Sequence, residues 1–364
     1  MVKRVAPVAP SRTMRHLSVP RQETQLILSQ LKAESALPEG ARVQMDPSDP
    51  NRTLIPVTEE SQTELLSLYP VIQAEPPTAP PRTYRDHLPS ILSEDEIQSI
   101  DWPTRHEFVG DLILIKLDEQ QRKFGDYIGK AMLMQHTRIR AVFEDRGVIG
   151  EFRVRDLSLL AVRDGFDSTP KTRILESGHY LWTNPSTVYY SARLSHERQG
   201  TLECAKKLQA KLHRPISVCD PYAGVGPSLT PLLKEPGLLG DLYASDLNPA
   251  AVELLRENIT TELATIECVD ARTLHERSEL CRKFDLLLVN IPHDTLEHLP
   301  KLTPLLNDGG TVRGWIVLEE EEFDSAQETL KKILGKAVEI DVRRSYSATA
   351  NLCRFESKII REMM

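Results

Sequence analysis

Four short apolar runs in the second half of the chain each stop at a polar residue, and this repeat constrains the fold more than any other feature. The runs lie between Ile216 and Pro292 and end at Asp220, Asp246, Asp270 and Asn290. Strands that alternate with helices indicate a mainly parallel sheet, in which ligands bind beyond the carboxyl ends of the strands. The sequence therefore predicts one row of binding side chains along one edge of an α/β sheet.

The pattern from residue 184 onward predicts a Rossmann-like domain with a mainly parallel, doubly wound sheet. Helices are expected at residues 195–212, 249–260 and 325–334. Strands are expected at 216–219, 265–269, 284–289, 311–318, 337–342 and 352–358.

The first run opens into a turn that reads Asp220-Pro-Tyr-Ala-Gly224-Val-Gly226, and its two glycines let the backbone approach a ligand closely. The second run ends at Asp246, whose carboxylate can accept hydrogen bonds from both hydroxyls of a ribose. The third glycine of the dinucleotide fingerprint is missing, because Ser228 and Leu229 follow the turn instead. This favours an adenosine-containing cofactor other than NAD.

The last run, Phe284 to Val289, delivers Asn290 and then Pro292. An Asn side chain offers a donor and an acceptor together, and a proline fixes the chain so that neighbouring carbonyls point into a site. The pair can hold the amino-bearing edge of a base, which a dehydrogenase does not need.

These residues resemble class I S-adenosylmethionine-dependent methyltransferases that act on nucleobases, and the chain resembles more closely the archaeal and eukaryotic family of tRNA guanine-37 N1-methyltransferases. Three further segments carry the resemblance. They are Phe108-Val-Gly-Asp-Leu-Ile-Leu-Ile, Gly150-Glu-Phe-Arg-Val-Arg155 and Val188-Tyr-Tyr-Ser-Ala-Arg-Leu-Ser-His-Glu-Arg198. Together with the apolar runs they cover roughly residues 100 to 350, in the family's order.

The resemblance implies S-adenosylmethionine as cofactor and tRNA, at guanosine 37 of the anticodon loop, as substrate. The implied cofactor-binding residues are Asp220, Gly224, Gly226, Asp246, Leu247, Asp270, Ala271 and Asn290. The two glycines would admit the methionine portion and Asp246 the ribose. Asp270 with Ala271 would hold the adenine amino group, while Asp220 orders the turn.

Methylation of guanine N1 requires removal of its proton and stabilisation of the negative charge that spreads onto O6. The resemblance places the general base at Glu197, whose pKa we expect partial burial to raise; an ordinary ion pair is the alternative. The cation at O6 is Arg153 or Arg155, with Arg155 slightly preferred, and both are expected on one face of a strand. Asn290, Pro292 and Arg193 complete the implied substrate site.

The chain is expected to contain several domains, because 364 residues is long for one. Residues 1–21 carry arginines and no acid among the first 22, which favours a flexible basic arm over a mitochondrial transit peptide. The other expected parts are a small α+β module that checks tRNA shape at 22–75, a proline-rich linker at 76–100, an α/β middle domain that orients tRNA at 101–183 and the methyltransferase domain at 184–364.

The composition limits the compartment and the mode of binding. A net charge of −8 argues mildly against nonspecific coating of nucleic acid. No apolar run approaches the length of a membrane span, and the five cysteines indicate neither a disulfide framework nor a metal site. We expect a monomer without a bound metal in the cytoplasm.

Two alternatives remain open. The first is a wybutosine-pathway transferase, which either moves the aminocarboxypropyl group of the same cofactor or methylates a tricyclic precursor. The Asn290-Ile-Pro292 element argues for methyl transfer. The second alternative is a non-catalytic tRNA-binding protein with a methyltransferase fold, which measurement of cofactor binding would separate from an enzyme.

Overall fold

The computed structural model describes residues 13–40, 42–75 and 80–360. The chain divides into two compact units, residues 1–82 and residues 83–364.

The first unit is a four-stranded antiparallel sheet with one main helix. Its elements are β1 (Met14–Pro20), α1 (Thr24–Ala33), β2 (Gln44–Asp46), β3 (Asp49–Pro56), α2 (Leu65–Leu68) and β4 (Val71–Ala74). The strands are arranged in the order β2-β3-β1-β4. Ile27 and Leu31 of α1 pack on Leu17 and Ile55 of the sheet, so this unit has an apolar core of its own.

The expected basic arm is wrong for residues 14–20, because they form β1 in the interior of the sheet. Leu17 and Val19 are fully buried, and β1 pairs with β3 on one side and β4 on the other. The prediction rested on the basic composition of the segment and did not take account of the alternation of Leu17 and Val19 with polar residues, which is typical of a strand. Residues 1–12 of the expected arm lie outside the described residues.

The second unit begins with a helical segment and a mixed sheet. A 3-10 helix at Tyr84–Ser90 precedes α3 (Glu94–Gln98), β5 (His106–Val109), β6 (Leu112–Ile115), α4 (Glu119–Arg122), α5 (Gly125–Gln135), β7 (Ala141–Ile149) and β8 (Val154–Val162). The sheet order is β5-β6-β7-β8, with only the central pair β6 and β7 parallel. The helix α5 makes the crossover that a parallel pair requires.

Part of the expected proline-rich linker is wrong. Tyr84, Leu88 and Leu92 are buried in the same core as Ile128 of α5, so residues 84–98 belong to the middle fold. A separate hairpin of β9 (Thr172–Glu176) and β10 (His179–Thr183) then leads to the larger sheet.

The larger sheet forms the carboxyl-terminal part of the second unit. Its helices are α6 (Ser195–Leu212), α7 (Thr230–Leu233), α8 (Pro249–Asn258), α9 (Thr295–Leu302) and α10 (Phe323–Leu334). Its strands are β11 (Ile216–Asp220), β12 (Leu239–Asp246), β13 (Ala264–Cys268), β14 (Phe284–Val289), β15 (Leu306–Glu319), β16 (Ile340–Ser345) and β17 (Ala350–Lys358). The order is β13-β12-β11-β14-β15-β17-β16, and β17 runs antiparallel to both of its neighbours. The predicted Rossmann-like fold is confirmed.

The apolar run of β14 is buried on both faces, which explains why it shows no alternation. Leu287 and Val289 pack into the core on the side of α9 and α10. Leu286 and Leu288 pack into the core on the side of α6 and α8. Burial of each such side chain stabilises the fold by about 1.5–3 kcal/mol, and the polar residue that follows the run is thereby held at the sheet edge.

Among the helices formed by the described residues, none combines the length and the apolar character that crossing a membrane requires.

Candidate active site

The turn after β11 brings the backbone of two glycines to the carboxyl edge of the sheet. Gly224 and Gly226 have φ of +55° and +86°, a region that glycine enters without steric cost. The Gly224 N–H donates to the Asp246 carboxylate at 2.8 Å. The Tyr222 N–H donates to Asp220 at 3.2 Å, a contact within the turn.

The two glycines serve different purposes. Apart from its chain neighbours, a Cβ at Gly224 would meet no atom of the described residues within 4 Å, whereas one at Gly226 would lie 2.7 Å from Leu255 Cδ1. Gly224 therefore borders open space that a ligand can occupy. Gly226 instead lets the turn pack on α8.

Burial perturbs the two carboxyls beside this turn. Removal from water raises the pKa of Asp220 to about 7, an effect that the Tyr222 N–H opposes and the nearby Asp246 reinforces. Burial also raises the pKa of Asp246, although the N–H groups of Asn248 and Gly224 oppose it. Asp246 holds Asn248 N at 2.9 Å, which fixes the carboxylate at the mouth of the turn.

A cavity of about 340 Å³ joins this turn to the end of β14 and to the middle fold. Five of the residues predicted for the site line it, namely Arg153, Gly224, Asp246, Asn290 and Pro292. Sequence reasoning did not assign several other lining residues to the site, including Phe152, Tyr189, Tyr190, Tyr222, Arg344 and Tyr346. Tyr189 and Tyr190 lie in a segment that carries the family resemblance, so the sequence could have indicated them. Arg344 and Tyr346 lie in none of those segments.

Other predicted cofactor residues are not among the described residues that line this cavity. Asp270 begins a 3-10 helix and accepts from Arg272, with Nη2 at 2.7 Å. That partner lowers its pKa. Ala271 is buried in the core, and Leu247 is half exposed beside the turn.

Arg153 does not lie in a strand, contrary to expectation. Residues 151–153 form a turn ahead of β8, and Arg153 has φ of +52°. Arg153 and Arg155 therefore do not share a strand face. Arg153 Nη1 lies 3.2 Å from Nε2 of His293, the residue after Pro292, and this contact holds its guanidinium at the cavity.

Arg155, which the sequence slightly favoured as the cation at O6, is bound to two carboxylates. The geometry favours Arg153 for that role. Arg155 forms ion pairs with Glu107 at 2.8 Å and Asp145 at 3.0 Å. It lines a neighbouring groove of about 780 Å³, which also contains Arg153 and the exposed Arg193.

Glu197 is buried near the start of α6 and is held by cations. Its carboxylate accepts from Arg343 Nε at 2.6 Å and from Trp315 Nε1 at 3.2 Å. Arg354 and Arg313 lie at 3.6 and 3.8 Å.

These partners decide the charge of the Glu197 carboxylate. Burial raises its pKa, but the hydrogen bonds from Arg343 and Trp315 and the adjacent positive charges outweigh burial, and the net pKa is lowered. The expected rise is therefore wrong. Glu197 is not among the described residues that line the cavity, although Leu194 and Arg198 from the same segment are.

The cavity wall is tied to the β9–β10 hairpin through buried polar contacts. Arg198 donates to Glu176 at 2.5 and 2.6 Å and to the Ser191 carbonyl at 3.0 Å. Tyr190 also donates to Glu176. The segment between the hairpin and α6 is thereby held against the cavity.

Asn258, the last residue of α8, joins the same hairpin to the glycine turn. Its side-chain carbonyl accepts from Trp182 N at 2.7 Å, and its amide donates to Trp182 O at 2.9 Å and to Val225 O at 2.8 Å. One side chain thus binds the backbone of β10 and the backbone between the two glycines.

The arrangement fits a cofactor with a ribose and an amino-acid portion. The open space at Gly224, the Asp246 carboxylate and the exposed Asn290 amide border one cavity, and its size is that of a small-molecule site. Arg153 adds a cationic group to this cavity from the middle fold.

Comparison with known protein families gives two matches in the second unit. Residues 84–165 match the family model described as TYW2 N-terminal domain, and residues 172–343 match the TRM5/TYW2 methyltransferase domain. Together the two models span more than half of the chain.

Individual relatives agree with these models. The chain is 28% identical to the tRNA (guanine(37)-N(1))-methyltransferase Trm5b of Pyrococcus abyssi, over 65% of this chain and 70% of that protein. It is 31% identical to the tRNA (guanine(37)-N(1))-methyltransferase of Entamoeba histolytica, over 56% of this chain and 51% of that protein. A solved complex of aTrm5 with tRNALeu shares the fold, with a TM-score of 0.68 and 22% identity over 95% of this chain and 99% of that one.

Proposed function

We propose that this chain, which belongs to the TRM5/TYW2 family of methyltransferases, transfers the methyl group of S-adenosylmethionine to N1 of guanosine 37 in the anticodon loop of tRNA. The observation that carries the proposal is one cavity bordered by the glycine turn, by Asn290 and Pro292, and by Arg153. The residues proposed to hold the cofactor and those proposed to hold the base therefore border the same cavity.

The residues at the turn fit the cofactor, which supplies a methyl group already bonded to a positively charged sulfur. Gly224 leaves room for the methionine portion, because in the described part of the chain only its own neighbours come within 4 Å of where its Cβ would be. Asp246 accepts the ribose hydroxyls. Asp270 would reach the adenine amino group only after exchanging its Arg272 partner. We therefore assign the contact with the adenine ring to Tyr222, which lines the cavity.

Arg153 stabilises the negative charge that develops on guanine O6 when N1 loses its proton. A guanidinium is always charged and donates in a fixed plane, which suits an oxygen that gains charge during the reaction. The contact with His293 positions it. Arg155 is already neutralised by Glu107 and Asp145, and its role is to join β8 to β5 and β7.

Glu197 accepts the N1 proton. Its lowered pKa keeps the carboxylate ionised at neutral pH, which a base requires. Because Glu197 is not among the described residues that line the cavity, its carboxylate must turn toward the bound base and exchange the Arg343 or Trp315 hydrogen bond for one to the substrate. The cavity-lining carboxylates Glu151 and Asp294 are the rivals for this role, and both are exposed.

Asn290 holds the guanine edge, because its amide offers both a donor and an acceptor. Pro292 shapes the pocket, and its carbonyl is fixed by Val317 N at 2.9 Å. Arg193 is exposed beside the neighbouring groove and contacts a phosphate. A guanine that enters this cavity must leave its stack, which an anticodon-loop nucleotide does at small cost.

The other parts of the chain serve recognition of tRNA. The middle fold orients the anticodon arm, and the first unit checks the shape of the tRNA. The protein acts as a monomer in the cytoplasm.

Incubation with methyl-labelled cofactor and tRNA transcripts that carry G37 or A37 tests the proposal. Label confined to G37, mapped after nuclease digestion, is the expected result. Equal labelling of both transcripts contradicts the position assignment. Binding of cofactor without any transfer would identify a non-catalytic tRNA-binding protein.

A second candidate is aminocarboxypropyl transfer, which the joint TRM5/TYW2 description of the domain brings with it. Cofactor labelled in the carboxyl carbon of its methionine portion separates the two reactions. Methyl transfer leaves this label on the released cofactor, whereas aminocarboxypropyl transfer moves it to RNA. We expect no carboxyl label in the tRNA.

A further inference from the structure

A second cavity, rich in basic side chains, lies between α6 and the larger sheet. It has a volume of about 440 Å³ and is bordered by α6, by β15 and β17 and by the segment after α10. Along β17 it extends from Lys358, which pairs with Thr311, to Arg354, which pairs with Trp315. Among the described residues it shares no lining side chain with the cavity at the glycine turn, so it is a separate site.

Six basic side chains line this cavity, in a chain whose net charge is −8. They are Lys207, Lys211, Arg313, Lys336, Arg354 and Lys358. Two acidic residues, Glu203 and Glu356, also line it, and Glu356 is bound to Arg313 at 2.6 Å. Arg313 also faces Glu197, and Arg354 faces Glu197 and Asp341. The excess of positive charge in the cavity therefore comes from the four lysines.

Three of the lysines lie close enough to repel one another. The Lys211 ammonium beside Lys358 lowers the pKa of Lys358, and burial and Lys336 act in the same direction. Lys207 lies one turn before Lys211 on the same face of α6. Like charges gathered in this way destabilise the fold unless an anion lies between them.

The floor of the cavity contains buried donors. Arg313 is 1% exposed, and the Nε–H groups of Arg313 and Arg354 have no hydrogen-bond acceptor within the described part of the chain. A Cβ at Gly200 would lie 2.7 Å from Arg313 Nη2, so the absence of a side chain there makes room for the guanidinium. A buried donor without an acceptor destabilises the fold, and a bound anion can supply the acceptor.

We infer that this cavity binds a phosphate group. A phosphate has several acceptor oxygens for ammonium and guanidinium donors, and its negative charge offsets the positive charge of these side chains. No aromatic side chain lines the cavity among the residues that the structure describes, so a base has nothing to stack on. The ligand is held through its phosphate, which belongs either to an RNA backbone or to a free phosphate compound.

The position of the cavity suits a remote part of a bound RNA. Lys211 follows Glu197 by fourteen residues of one helix, which corresponds to about 21 Å. An RNA stem spans that distance, so a tRNA whose target base occupies the catalytic cavity can present a backbone phosphate here. This RNA source depends on the proposed function, whereas phosphate binding itself does not.

The test compares two double variants of the full chain. One is Lys211→Gln with Lys358→Gln. The other is Lys234→Gln with Lys301→Gln, which removes the same charge from exposed lysines outside the cavity. Circular dichroism and thermal melting establish that both are folded. Inorganic phosphate binding is followed by calorimetry, and binding of unmodified tRNA is followed across a range of salt concentrations.

We expect the cavity variant to lose phosphate binding and the control to keep it. If RNA is the source, the cavity variant also binds tRNA several-fold more weakly, with a salt slope smaller by about 1 for each lost phosphate contact. Loss of phosphate binding with unchanged tRNA affinity assigns the site to a free phosphate compound. Absence of phosphate binding by the unaltered chain, or equal binding by both variants, overturns the inference. None of these measurements uses methyl transfer, so their outcome is separate from that of the proposed reaction.

Discussion

Arg153 Nη1 lies 3.2 Å from His293 Nε2, across 140 residues of sequence. Because a guanidinium only donates, this contact requires an unprotonated Nε2. His293 Nε2 also lies 2.8 Å from the Tyr346 hydroxyl. The turn of the middle fold is thus tied to the end of β14 at the place where a base would enter.

Replacement of Arg153 by Ala should lower kcat for methyl transfer about 10²-fold, the usual loss for one donor at a developing oxyanion. Arg155→Ala should instead lower the melting temperature, because it leaves Glu107 and Asp145 without their cation. Steady-state kinetics and thermal melting of both variants separate the roles. A larger kcat loss in Arg155→Ala would reverse the assignment.

Glu197→Gln should reduce single-turnover methyl transfer by about 10²–10⁴-fold, the range for loss of a general base. It should leave cofactor affinity unchanged, because Glu197 does not line the cofactor cavity among the described residues. Glu151→Gln and Asp294→Asn are the matched controls. If either control loses as much activity while Glu197→Gln retains it, the base is the control residue.

The Glu197 variant should also be less stable. Arg313, Arg343 and Arg354 would then face a neutral amide. The folded pKa of Glu197 is lowered, so its contribution to stability is present above the unfolded pKa and is lost as pH falls through the folded one. Denaturant unfolding from neutral to acidic pH should show the two proteins converging. Parallel curves would contradict this ion-pair account.

Asp220→Asn should stabilise the cofactor-free protein at pH 8 by roughly 2–4 kcal/mol. The native carboxyl has a pKa of about 7 against an ordinary 3.8. Native protein therefore binds more protons between these values, and the contribution of Asp220 to stability falls as pH rises through that window. Unfolding curves of the variant and the unaltered chain should coincide near pH 4 and diverge up to pH 7. A constant difference would show that Asp220 is ionised throughout.

The two glycines of the turn should respond differently to Ala. Gly224→Ala carries the cost of a side chain at positive φ, roughly 1–2 kcal/mol, and should weaken cofactor binding. Gly226→Ala adds the 2.7 Å approach to Leu255 Cδ1, which costs about 1–3 kcal/mol more. Thermal melting and cofactor titration of both variants provide the comparison. Equal destabilisation would show that α8 moves aside.

Much of the larger sheet could be predicted because its strands are buried on both faces. The run from Phe284 to Val289 matched β14 at both ends, and the helix at 195–212 matched α6. Buried positions require apolar residues, so a buried strand is visible in the sequence as an apolar run. The row of polar strand ends gave Asp246 and Asn290 their place at one cavity for the same reason.

The sequence predictions were wrong where the conformation of one residue, or a partner distant in sequence, determines the structure of the site. Phe152-Arg-Val-Arg reads as alternation, yet the positive φ of Arg153 makes it a turn, and nothing in a single sequence marks a non-glycine residue for that region. Likewise, the lowered pKa of Glu197 depends on Arg343 and Trp315, more than a hundred residues away. Periodicity carries no information about such partners.

The three hydrogen bonds of Asn258 to Trp182 and Val225 leave the hairpin and the glycine loop no freedom to shift independently. If RNA binding displaces β10, we expect the displacement to reach the glycine turn through these hydrogen bonds. Under the proposed function, substrate affinity and cofactor affinity would then be coupled through the Asn258 amide.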